Sequence, residues 1–170
     1  MKKWFNSRVG AFLTILIAGA CAGCTANTSP TQILVVVNTD FPAADVDRIE
    51  IKFRDPDEPE GPDRWGPIEV NQLIIEPSDL PVTVGVFPTG SEEEILVGAF
   101  VRGSSITAVG RDARTRFLSD ESLVLGITVE QACTGVVCGK TMTCIAGRCA
   151  GDTIDPATLP KWDGTDPAMR

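Results

Sequence analysis

The sequence has no histidine and no tyrosine among its 170 residues. Histidine is the commonest general base near neutral pH and a leading zinc ligand, so its absence removes every His-dependent triad and the usual catalytic zinc sites. Cations are also scarce, with 15 Lys and Arg against 23 Asp and Glu and a formal net charge of -8. That balance argues against nucleic acid as a partner, because neutralising phosphates needs a clustered excess of Lys and Arg. No cofactor is expected. A membrane-spanning run is missing as well: the apolar stretch Val9 to Ala22 is shorter than the roughly 20 residues that cross a bilayer.

What stands at the start reads as an address. Lys2, Lys3 and Arg8 precede the uncharged stretch, which carries Phe12, Leu13, Ile15, Leu16 and Ile17, the pattern of a secretory signal. It closes on Ala18-Gly19-Ala20-Cys21-Ala22-Gly23-Cys24, which resembles the lipobox of bacterial lipoproteins, where small residues precede a cysteine that is lipidated and becomes the first residue. Cys24 and Cys21 compete for that role. Of the six cysteines, cleavage before Cys24 discards one, acylates one and leaves four for two bridges; cleavage before Cys21 leaves an odd thiol, a liability outside the cytoplasm. Cys24 is therefore the expected lipidation site, with Cys21 the alternative. Loss of the leader leaves 12 basic against 23 acidic residues, so the mature charge is near -11. A lipid rather than a polybasic patch would hold such a chain to a membrane. Thr25 after the anchor cysteine lacks the Asp linked to inner-membrane retention in some lipoprotein systems, which favours the outer membrane.

Five regions follow from the composition. Residues 1–23 are a lipoprotein signal peptide, 24–31 a small polar tether, 32–130 a β-rich domain, 133–149 a cysteine-rich module and 150–170 an extended tail. From Gln32 onward, short Val- and Ile-rich runs alternate with Pro, Gly, Asp and Ser, an all-β rhythm. The expected strands are Ile33 to Val37, Val46 to Phe53, Ile68 to Ile75, Val82 to Val86, Ile95 to Val101, a sixth from a tight turn at Gly103-Ser104 through to Phe117, and Leu123 to Val129. Seven short strands, each with one apolar face, are stable when two sheets cover one another, which predicts an immunoglobulin-like β-sandwich. A small β-barrel would satisfy the same alternation.

Cys133, Cys138, Cys144 and Cys149 are spaced C-x4-C-x5-C-x4-C within 17 residues. So short a segment builds no core of its own, and two disulfides would brace it in an oxidising compartment. Four cysteines admit three pairings. Zinc is disfavoured by the missing histidine and the absence of C-x2-C hooks.

Several segments stand out as a set: the lipobox end, Gln32-Ile33-Leu34-Val35-Val36-Val37-Asn38-Thr39-Asp40, Leu80-Pro81-Val82-Thr83-Val84-Gly85, the cysteine stub and Asp155-Pro156-Ala157-Thr158-Leu159-Pro160. As a set they resemble a group of myxobacterial-type secreted lipoproteins of no assigned activity. The resemblance implies a cell-envelope location, a β-rich body and a cysteine-rich stub, and carries over no catalytic residue. The stub in turn resembles EGF-like fragments, which implies the interleaved pairing Cys133 with Cys144 and Cys138 with Cys149.

Candidate sites are few. Asp55, Asp57, Glu58, Glu60 and Asp63 crowd five carboxylates into nine residues, a weak candidate for calcium; three prolines and a spacing unlike the EF-hand favour a solvated acidic loop. Arg102, Arg111, Arg114 and Arg116 could meet an anionic glycan, or serve as the charged solvent face of an edge strand. Ser104-Ser105 with Asp112 lacks a base and is rejected as a hydrolase site. Trp65 and Trp162 are candidate partner anchors or packed lids. The expected function is a non-catalytic surface module holding an envelope protein or glycan. The alternative is a carboxylate-dependent envelope glycan hydrolase.

Overall fold

The computed structural model describes residues 30–54, 72–88 and 93–169. Among the described residues nine strands form three sheets: β1 (Gln32–Thr39), β2 (Arg48–Arg54), β3 (Gln72–Ile75), β4 (Val82–Val86), β5 (Glu94–Arg102), β6 (Val109–Arg116), β7 (Ser122–Val129), β8 (Met142–Ile145) and β9 (Arg148–Gly151). The first seven make a two-sheet sandwich, one sheet in the order β4-β1-β7 and the other β3-β2-β5-β6. Neither closes into a barrel. The third is the hairpin β8-β9 of the cysteine module.

Alternation explains the packing. On β2, Ile49 and Ile51 point inward; on β5, Ile95, Val97, Ala99 and Val101; on β7, Leu123, Leu125, Ile127 and Val129. With Ile33, Val35 and Val37 of β1 they form one core between the sheets. Cys133 and Cys144 join that core at its margin, so the module is packed onto the sandwich rather than hung from it.

The β4-β1-β7 sheet is mixed. β1 runs antiparallel to β4, pairing Val35 with Val84, but parallel to β7, pairing Val35 with Leu125. Immunoglobulin sandwiches use antiparallel sheets, so the likeness holds for the stacked two-sheet architecture and not for this pair. Gln32 fixes the start of β1: its side-chain amide donates to Ser122 Oγ (3.0 Å), and the Ser122 hydroxyl donates to the Pro30 carbonyl (2.8 Å).

One expectation needs correcting. The sixth strand begins at Val109, not near Ser105, and residues 103–108 form an irregular connection. The turn at Gly103-Ser104 is present, closed by the Ile106 N–H donating to Gly103 O (3.2 Å); a Cβ on Gly103 would overlap the Asp45 carbonyl oxygen, and the Asp47 N–H donates to Arg102 O (2.8 Å). The tail is extended and lies along the sandwich. The Arg114 N–H donates to Asp152 O (2.7 Å) and the Ile154 N–H to Arg114 O (2.8 Å), which seals the β6 edge. Farther on, the Val124 N–H donates to Pro160 O and the Trp162 N–H to Ser122 O, both at 2.8 Å, which seals the β7 edge.

The strand directions define two poles. β1 starts, β2 ends, β6 ends and β7 starts at the pole where the chain enters at Pro30. The connections 40–47, 76–81 and 103–108 gather at the opposite pole.

Candidate functional site

The outward face of the β3-β2-β5-β6 sheet carries most of the charge chemistry. Its strands present Arg48, Glu50, Lys52 and Arg54 from β2, Glu94, Leu96, Phe100 and Arg102 from β5, and Asp112, Arg114 and Arg116 from β6. That is six cations against three carboxylates on one face of a chain whose net charge is -8.

Glu50 is the hub. Its Oε1 accepts Arg48 Nε at 2.9 Å and lies 2.7 Å from Arg102 Nε, while Oε2 lies 3.9 Å from Lys52 Nζ. Arg48 and Arg102 meet because β2 and β5 pair them directly across the ladder. Two like charges in such register repel unless a carboxylate sits between them. Burial by itself pushes the Glu50 carboxyl up, but the hydrogen bonds and charges of Arg102 and Arg48 outweigh it and hold the group below the usual carboxylate range. A depressed native value contributes stability above the unfolded value of about 4.5, and that stability is lost as pH falls through the native one. Glu50→Gln should therefore flatten the acid limb of a stability-against-pH curve; equal acid sensitivity of variant and parent in urea melts would contradict this assignment.

The face is not uniform along its length. Toward the pole where the chain enters, Arg54 and Leu96 are buried. Toward the opposite pole the side chains of Arg48 and Arg102 are 48% and 39% exposed while Glu50 between them is 6% exposed. Phe100 faces Glu50 across the ladder and Gly110 on its other side. Its ring occupies the space a Gly110 Cβ would need, so the ring lies across the sheet, and Lys52 Nζ sits 5.5 Å from its centroid.

The four arginines singled out in the sequence do not act together. Arg102, Arg114 and Arg116 belong to this face, and Arg114 lies 4.0 Å from Glu94. Arg111 is in phase with the inward residues Val109 and Ala113, and its guanidinium donates to the Thr128 carbonyl of β7 in the other sheet (3.3 Å). It is a strut between sheets, which corrects its reading as solvent-face charge. Ser104 and Ser105 lie in the loop before β6, whereas Asp112 is on the strand opposite Gly98.

In the module, Cys133 is bonded to Cys144 and Cys138 to Cys149, the interleaved order, each pair 11 residues apart. Cys133 and Cys144 are buried, and Cys149 is exposed. The Thr143 hydroxyl accepts the Asp112 N–H (2.8 Å), and β8 thereby borders β6. Trp162 is on the surface, with its indole N–H donating to Thr165 O (2.7 Å). Thr83 donates its hydroxyl to Asp166 (2.7 Å), and that bond, with the Ala168 N–H, holds the Asp166 carboxyl low.

Cys21, Cys24, Trp65 and the acidic run Asp55, Asp57, Glu58, Glu60 and Asp63 lie outside the described residues. Among the described residues there is no group of three or more His, Cys, Asp or Glu side chains able to hold a metal, and no helix long and apolar enough to cross a membrane. Comparison with known proteins finds no matching family model, no matching curated protein and no matching solved structure.

Proposed function

We propose that this chain is a lipid-anchored protein of the bacterial cell envelope, attached through Cys24 to the outer membrane, and that it works as a non-catalytic binding or structural module. The observation that carries the reading is the pair of bridges Cys133–Cys144 and Cys138–Cys149. Disulfides persist in exported proteins and are rare in a reducing cytosol. They also take up four of the six cysteines, leaving Cys21 in the leader and Cys24 at the start of the tether. The stub with its interleaved bridges belongs, in this reading, with EGF-like fragments.

The polarity of the sandwich supports a presenting role. A tether of residues 24–31 would reach β1 at one pole, so the loops 40–47, 76–81 and 103–108 and the open end of the cationic face would point away from the membrane. Intact mass of the protein purified from envelopes tests the proposal. We expect cleavage before Cys24, added acyl mass and no free thiol, and Cys24→Ser should move the protein out of the membrane fraction. Unprocessed chain with reduced cysteines in the cytosol would overturn it.

A further inference from the structure

We propose that the outer edge of β3 pairs antiparallel with β3 of a second copy of this chain, joining two sandwiches into a twofold dimer. The inference goes beyond the envelope reading and does not depend on a lipid anchor. It starts from how the sheet edges are treated. The tail bonds to Arg114 along β6 and to Val124 and Ser122 along β7, so those two edges are covered. β4 stands between Pro81 and Pro88, and its Thr83 is tied to Asp166 of the tail. Among the described residues β3 pairs with β2 alone. Its sequence, Gln72-Leu73-Ile74-Ile75, has no charge and no proline, and its register with β2 has no bulge; those are the devices that keep an edge from pairing. Leu73 is 40% exposed although it stands opposite Ile51, in phase with the core, and Ile74 on the outward side is 62% exposed. A strand added beyond β3 would cover both.

Pleating selects the register. Residues opposed across an antiparallel pair share a side of the sheet, so both cores lie on one side when the twofold axis passes through a residue of β3. An axis at Leu73 would set Gln72 against the partner's Ile74, a polar group against an apolar one. An axis at Ile75 would set Leu73 against the partner's Pro77, which has no N–H to give. The axis at Ile74 sets Ile74 against the partner's Ile74, Leu73 against the partner's Ile75 and Gln72 against the partner's Glu76. That register is also complementary in charge. Glu76 is exposed and its backbone extended, which keeps it in phase with Gln72 and Ile74, and Lys52 of β2 stands opposite Gln72. The partner's Glu76 therefore enters the outward row of Lys52 and Gln72, and the twofold makes this contact twice. Elsewhere, two chains of net charge -8 repel. Four residues of edge bury little area, so the pair is weak, with a dissociation constant on the order of tens of micromolar. It stops at two, because an isologous contact uses the β3 edge of both copies and closes on itself.

Sedimentation equilibrium of the full-length protein in detergent micelles tests the pairing, since micelles leave the two entry poles free to lie at opposite ends, as antiparallel strands require. The protein should be monomeric at about 1 μM and mostly dimeric at about 100 μM, as a weak closed interface implies. Ile74→Lys sets like charges against each other at the axis and should weaken dimerisation about tenfold or more. Gln72→Glu sets an acid against the partner's Glu76 at two places and should weaken it about fivefold. Ile74→Val, which keeps a β-branched apolar side chain, should change it less than about twofold. Mild oxidation of the Ile74→Cys protein should link two copies at that position, because directly opposed Cβ atoms lie about 5 Å apart, close to disulfide reach. Peptide mapping identifies the link, and Ser104→Cys, exposed on the loop before β6, should stay unlinked. Thermal midpoints confirm that each variant is folded, and the crosslink decides the matter if Ile74→Lys is not. A protein monomeric throughout that range, a dimer indifferent to both charge changes, growth beyond two copies, or a different protein seated on β3 would overturn the proposal. None of these outcomes touches the acyl mass that tests envelope anchoring, so the two readings fail separately.

Discussion

Truncation after Gly151 should cost about 5 kcal/mol of stability, since it removes four strand-type hydrogen bonds at roughly 1 kcal/mol each together with apolar cover. Those bonds join Asp152 and Ile154 to Arg114, Pro160 to Val124 and Trp162 to Ser122. Pro156 is buried, and Ile154 and Leu159 pack against the core. The larger consequence is association. The segment runs parallel to β6 at Thr153 and antiparallel to β7 at Lys161, so it occupies one outer edge of each sheet. Bared edges offer rows of unpaired N–H and C=O groups to another chain. The truncated protein should therefore form dimers and larger species in light scattering, with a lower urea midpoint. A monodisperse monomer of parental stability would show that the segment merely lies on the surface.

Loss of the buried bridge is the second large effect expected. Both bridges span 11 residues, and closing loops of that size restricts the unfolded chain by about 3 kcal/mol. Chain restriction alone makes the two equal. Packing separates them, because Cys133 and Cys144 are part of the sandwich core while Cys149 is exposed. Cys133→Ala with Cys144→Ala should cost about 1–2 kcal/mol more than Cys138→Ala with Cys149→Ala, the cavity contribution of two buried sulfurs. Urea melts of the two double variants measure the difference. Equal losses would mean that the inner bridge contributes restriction and no packing.

Much of the sandwich is legible because a strand's period of two is a local property. Arg48, Glu50 and Lys52 against Ile49, Ile51 and Phe53 state which side of β2 is wet without reference to any other strand. The same rule places the strut: Arg111 stands in phase with Val109 and Ala113, so its inward direction is legible from alternation alone, and only its acceptor in the other sheet is not. By the same alternation Glu50 falls on the charged side of β2 with Arg48 and Lys52, yet it is buried. Its burial depends on Arg102, which only the β2–β5 pairing brings near it.

The sequence alone determined the all-β class, the count of seven sandwich strands and the separation of a cysteine-rich stub from the body, because alternation, turn residues and cysteine spacing are written along the chain. Tertiary structure decided the parallel pairing of β1 with β7, the clasp of the tail on two edges and the gathering of Arg48, Glu50, Arg102 and Phe100. Each of these joins backbone hydrogen-bonding groups or charges from distant segments. A peptide N–H satisfies its need equally well with any strand, so the choice among partners is made by the packed core and not by local sequence.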